Sequence, residues 1–241
     1  MTYKTVLAFL PTFERAERVL DVALPIADAH GSHLVGVHVV PDVTMFYGIA
    51  AGQFPADLID QQRRVQEDEA AKIRQMFEKR GGAGNAKIEW RQAVASESDA
   101  TQKFVNMSIC ADLIVADQSA TSFSGGGLEV AARMVLGTAR PVLVVPSAGK
   151  FGVVGKRPLI AWNGEKESAR AAFDAIPLMR HAELVRILSI DPATGEGQDM
   201  VALGDELAIC LARHGLKTEA TVSRTAGLSI GDELLNRLTD Y

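Results

Sequence analysis

Along this chain, short apolar runs alternate with longer stretches in which apolar positions return about every three or four residues. Unbroken apolar runs bounded by turn formers predict strands of a parallel sheet covered on both faces. The longer period predicts amphipathic helices between them. In the first part of the chain the strands fall at Thr5–Phe9, Leu34–Val40, Ile88–Ala95, Leu113–Ala116 and Val142–Val145. The helices fall at Arg15–Ala29, Ala56–Arg80, Asp99–Cys110 and Leu128–Leu136. The second helix puts Leu58, Val65, Ile73, Met76 and Phe77 on one broad face, as for a helix packed on a sheet. Gly81–Asn85 (GGAGN) follows that helix and reads as its terminator, because phosphate loops precede helices. Strand–helix alternation of this kind predicts a Rossmann-like α/β fold, a doubly wound parallel sheet with right-handed crossovers.

The pattern occurs twice. YKTVLAFL (Tyr3–Leu10) and RPLIAWNG (Arg157–Gly164) are both short apolar strands leading to a charged helix start. Asp21–Asp42 and Asp174–Ala193 each carry an Asp, then Ala-Leu-Pro or Ala-Ile-Pro, then a strand and a proline. Two copies about one domain apart read as duplication rather than a short solenoid repeat. The expected domains are 1–148 and 156–241, joined by the small-residue linker Ser147–Arg157. Pro25 and Pro177 each lie in an otherwise helical stretch and are expected to kink it. The second copy has its third strand near Glu219–Ser223 and its third helix near Ile230–Asp240. The sequence reaches Tyr241 where the counterpart of Ala111–Asp117 is due. The expectation is a second domain lacking its last strands and phosphate loop, in a fragment of a longer chain.

Composition narrows the function. With 241 residues and 47% of them apolar, the chain can bury one large core or two modest ones. A net charge of −5 without a Lys/Arg cluster excludes a protein built to grip nucleic-acid backbones. No segment approaches the roughly 20 apolar residues of a membrane span, and the N-terminal apolar run lacks a cleavage site, so a cytoplasmic protein is expected. Cys110 and Cys210 sit in apolar helical contexts without ligand spacing, and read as reduced core thiols. His30, His33, His38, His181 and His214 have no Cys or carboxylate at a ligand spacing and read as structural, so no metal site is expected. Ser119, Ser122 and Ser124 lack a nucleophile elbow, and no catalytic residue stands out. Gly149-Lys150 and Gly155-Lys156 are followed by Phe and Arg where a P-loop needs Ser or Thr. The apolar, aromatic connection Val43–Leu58 either covers a pocket, meets a partner, or packs on its own domain.

In combination, YKTVLAFLPTFERAERVL, LVGVHVVPD, ADLIVAD…GTARPVLVVP and LIAWNGEKESARAAFDAIPLM resemble the universal stress protein family in its tandem-domain form. The resemblance implies an adenine nucleotide α hydrolase-like fold. It implies ATP as the cofactor of binding members, held by an Asp after the first strand, an apolar residue at the end of the second, and Gly-x2-Gly-x9-Gly-Ser/Thr after the fourth. In the first copy the Asp position falls on Pro11, the first two glycines on Asp117 and Ala120, and the Gly-Ser pair on Val130 and Ala131. Asp117 is expected to repel a phosphate and Ala120 to block close backbone approach, so the first copy is not expected to bind ATP. Gly125, Gly126 and Gly127 lie out of register, flanked by Asp117 and Glu129, and read as the relic of a phosphate loop.

In the second copy Asn163 takes the Asp position, between Trp162 and Gly164, and Ser189 takes the adenine contact with Asp191 beyond it. These five are the expected nucleotide-contacting residues, and the chain as it stands is expected to show no saturable ATP binding. The implied function is a non-catalytic stress-response protein. The alternative is a nucleotide-independent interaction module, with a nucleotide hydrolase or ligase third. The resemblance also implies a homodimer through the fifth strand, Pro141, Val142, Leu143, Val144 and Val145.

Overall fold

The apolar run Thr5–Phe9 forms β1 at the centre of a five-stranded parallel sheet. The computed structural model describes residues 2–42, 56–96, 99–118, 127–191, 194–195 and 198–240. The other strands of this sheet are β2 (His33–Pro41), β3 (Lys87–Ala95), β4 (Leu113–Asp117) and β5 (Val142–Val145), in the order β3-β2-β1-β4-β5. Phe9 stands opposite Val37 of β2, and Ala8 opposite Val115 of β4. The helices are α1 (Phe13–His30), α2 (Ala56–Gly81), α3 (Ala100–Ser108) and α4 (Gly127–Thr138). Odd-numbered residues of β1 and β2, Leu7, Phe9, Val35 and Val37, share one buried cluster with Phe104 and Ile114. Gly36 lies on the opposite face of the pleat, where a Cβ would come within 2.9 Å of the Phe77 ring of α2. The missing side chain is what lets that ring lie flat on the strand.

The chain divides into two compact units, Thr2–Gly152 and Val153–Tyr241. The second unit has β6 (Leu159–Ala161), α5 (Lys166–Asp174), α6 (Ile176–Met179) and β7 (Val185–Ile190). A two-stranded antiparallel hairpin follows, β8 (Thr194–Gly195) with β9 (Gln198–Asp199), which the sequence pattern did not indicate. Then come α7 (Met200–Arg213), β10 (Thr218–Ser223) and α8 (Ile230–Asp240). The parallel strands run β10-β7-β6, the same order as β3-β2-β1. Ile160, Ile176, Val185, Ile187 and Leu211 form the core of this unit.

Several expectations are corrected. Leu58 and Val65 are exposed, and burial of α2 on the described residues begins near Ala70, Ile73 and Phe77. A 26-residue helix is roughly 39 Å long while a nine-residue strand spans roughly 30 Å, so part of α2 has no sheet beneath it. Cys110 is exposed and Cys210 half-buried, both free, rather than core thiols. The helix expected to reach Cys110 ends at Ser108, which leaves that thiol in the following turn. Pro25 does lie within α1, but Pro177 sits in the first turn of a separate helix, where its missing N–H costs nothing. Residues 43–55, Ser119, Ala120, Ser122, Ser124, Gly125 and Gly126 lie outside the described residues. No described helix is long and apolar enough to cross a membrane.

Candidate functional site

Open α/β sheets bind ligands beyond the carboxyl ends of their strands, where the strand order reverses. In the first unit that point lies between β1 and β4. Among the described residues, side chains of the chain itself are paired there. Arg15, in the first turn of α1, donates from Nε to Asp117 Oδ2 at 2.7 Å and from Nη2 to Oδ1 at 3.0 Å. The Asp117 side chain is 1% exposed and that of Arg15 20%. Asp117 is therefore no free anion at a loop mouth, which corrects the repulsion expected from sequence. Its charge is matched by a bidentate guanidinium. At the same helix start the Phe13 N–H donates to Glu69 Oε1 of α2 at 3.2 Å. Helix N-termini favour negative charge, and here a carboxylate of the same chain supplies it.

His38 lies at the same end of β2 and is buried. Its Nδ1 is 2.6 Å from the Leu10 carbonyl, so this nitrogen carries the proton it donates. Burial holds its pKa below the usual histidine value, against the opposing pull of the Leu10 carbonyl and Glu69. The imidazole stacks on Trp90, with ring centroids 6.1 Å apart. Pro11, at the position of the family's Asp, is buried and offers no carboxylate. Among the described residues no group of three or more His, Cys, Asp or Glu is placed to hold a metal.

In the second unit the expected residues cluster at the ends of β6 and β7. The Trp162 N–H donates to the Leu188 carbonyl at 2.8 Å, which ties the end of β6 to β7 next to Ser189 in sequence. Trp162 and Ser189 both meet Gly204 of α7, where a Cβ would lie 3.7 Å from Ser189 Oγ and 3.8 Å from Trp162 Cδ1. Ser189 is buried, and the Trp162 indole N–H is buried without a hydrogen-bond partner among the described residues. Asn163 Oδ1 accepts the Glu165 N–H at 3.1 Å, an Asx turn opening α5, with Gly164 at φ 76 between them. Asp191, at φ 42, accepts from Thr225 Oγ1 at 2.6 Å and donates its N–H to the Ser223 carbonyl at 3.0 Å. It fastens the end of β7 to the end of β10. Next to it the Ser223 hydroxyl and Arg237 Nε both donate to Glu233 Oε1, the latter at 2.8 Å. The hydroxyl first and the guanidinium second hold the Glu233 carboxyl below its usual pKa, against burial and the nearby Asp191.

Arg15, Glu69, Thr225 and the Ser223–Glu233–Arg237 group were not singled out from sequence. Arg15 and Asp117 are 102 residues apart, so no local spacing connects them.

No family model matches the chain, and no curated protein does. Among solved structures, a universal stress protein from Archaeoglobus fulgidus DSM 4304 is similar over 95% of this chain and 82% of its own, at 14% identity and a TM-score of 0.64. A protein from the universal stress protein family of Burkholderia pseudomallei is 26% identical over 60% of this chain and 97% of its own, with a TM-score of 0.41. A universal stress protein in complex with cAMP is 22% identical over 60% of this chain and 98% of its own, with a TM-score of 0.38. The first likeness shows that this chain has the fold of a universal stress protein.

Proposed function

We propose that the chain is a stress-response protein of the universal stress type, acting through binding and association rather than turnover. The observation that carries this reading is the internal pairing at the switch point of the first unit. Arg15 and the Phe13 amide are the groups that would meet a phosphate there, and both are held by internal carboxylates. An adenine nucleotide such as ATP then belongs to the second unit, beside Trp162, Asn163, Gly164, Ser189 and Asp191. Asn163 can offer its amide to a base or ribose, and the orphaned indole N–H of the adjoining Trp162 is a second donor. The reading places the protein in the cytoplasm. It also makes the protein a homodimer through Pro141–Val145, since β5 is an edge strand with three of its four residues half-buried.

The test is calorimetric titration of the full chain with ATP. In place of the absence of saturable binding expected from sequence, this reading expects at most one equivalent, and none in Asn163→Leu. Binding that survives in Asn163→Leu but disappears in Arg15→Leu overturns the assignment to the second unit. Phosphate release above a no-protein control overturns the non-catalytic reading. A second reading, association without any nucleotide, is favoured by the internal commitments of Asn163 Oδ1 and Asp191, and an absence of ATP heats in the wild type selects it.

A further inference from the structure

The start of α1 is held from a distance. Its N-cap residue, Thr12, has extended backbone but makes no side-chain bond to the first turn. The local acceptor that serves the orphan amides of most helix starts is therefore missing. The Phe13 N–H goes instead to Glu69 Oε1 of α2, 56 residues away, at 3.2 Å. That distance is at the long end of the range for an N–H···O bond, and it commits a half-buried carboxylate to one neutral donor.

His38 answers to the same carboxylate. Its Nδ1 proton is given to the Leu10 carbonyl, and Nε2 has no hydrogen bond among the described residues. Nε2 is thus the position at which this buried ring can gain a proton. Each element packed on the ring presents a different group. β1 brings the Leu10 carbonyl, and β3 brings the Trp90 indole, nearly parallel at 20°, with the uncharged Gln92 opposite in register. α2 brings Glu69, whose charge acts on the imidazole. In the first turn of α1, Arg15 is already bound to Asp117.

A proton on Nε2 creates a buried cation, which is costly unless it meets a partner. Glu69 is the carboxylate on hand. Its bond to an imidazolium is roughly twice as strong as one between neutral groups, and the indole face beside the ring also favours the cation.

We propose that His38 and Glu69 form a proton-operated switch at the start of α1. With His38 neutral, Glu69 holds the Phe13 amide and caps the helix. When a proton from solvent settles on Nε2, Glu69 turns to the imidazolium and releases that amide. Thr12 offers no replacement, so the first turn of α1 is left uncapped. Acidification is thereby coupled to the end of the sheet where the strand order reverses. The switch lies wholly within the first unit and does not depend on the nucleotide reading of the second.

The test is a nuclear magnetic resonance titration of the full chain from about pH 7.5 to about pH 4, following the His38 Cε1–H and the Phe13 amide. The Phe13 amide should lose its downfield, hydrogen-bonded shift with the same midpoint as His38, below the usual histidine value. Glu69→Gln can still accept the Phe13 N–H but carries no charge. In that variant the Phe13 step should vanish, and the His38 midpoint should fall further because Glu69 raises it. In His38→Asn the step should be absent. A Phe13 midpoint near the ordinary glutamate value of about 4.3 would report Glu69 titrating on its own and overturn the proposal. A step that persists in Glu69→Gln would be the field of the imidazolium alone and would overturn it as well. So would loss of amide dispersion throughout the first unit at the His38 midpoint, which is unfolding rather than a switch.

Discussion

At the scale of single residues, the side chains at the first switch point are committed to one another. Burying a carboxylate is costly unless it is paired and hydrogen-bonded, and Asp117 meets that condition with two bonds to one guanidinium. His38 meets it differently, by staying neutral. The groups facing it are the Leu10 carbonyl, Glu69 and the Trp90 ring. Because burial lowers its pKa below 6.5, the unfolded chain takes up a proton at a higher pH than the folded one. The His38 contribution to stability is therefore complete above about pH 6.5 and is lost as pH falls below it, down to the folded-state value. His38→Asn, whose amide can still donate to the Leu10 carbonyl, should flatten the decline in urea midpoint between about pH 7 and about pH 5. Parallel curves for the two proteins would show that another group carries the pH dependence.

At the scale of elements, the contact of β2 with α2 is set by an absence. Gly36 has no side chain, and Phe77 lies where one would be. Phe77 is fully buried and has no free space to yield, so Gly36→Ala should destabilise the fold by roughly 1–3 kcal/mol, read from denaturant unfolding. Adding Phe77→Leu to that variant should recover part of the loss. The elements themselves were legible because each is written locally. Thr5–Phe9 and Val142–Val145 were placed to the residue, and helix ends moved by one or two positions. What an element packs against was not legible. The periodic face through Leu58 and Val65 looks the same in sequence as the part through Ile73 and Phe77, yet only the latter meets the sheet. The same limit held at the candidate site. Trp162 and Ser189 both lie near Gly204, which no sequence pattern indicated, and Asp117 was misread because its partner lies on another element.

At the scale of the whole molecule, two units of unequal size share one pattern and are joined where small residues interrupt it. Residues 146–150 are exposed, and the boundary between the units falls at Gly152. Limited trypsin treatment should cut first at Lys150 or Lys156, giving two fragments that correspond to the two units. An early cut within α2 instead, at Arg63 or Arg64, would mean that the joint is better protected than its exposure suggests.

The pairing of β1 with β4 also sets a schedule for synthesis. Arg15 leaves the ribosome 102 residues before Asp117, which at roughly 5–20 residues per second is about 5–20 s. For that interval β1 can pair with β2 while its other edge has no neighbour. A nascent first unit thus presents an open strand edge along β1 for seconds, until β4 arrives to cover it.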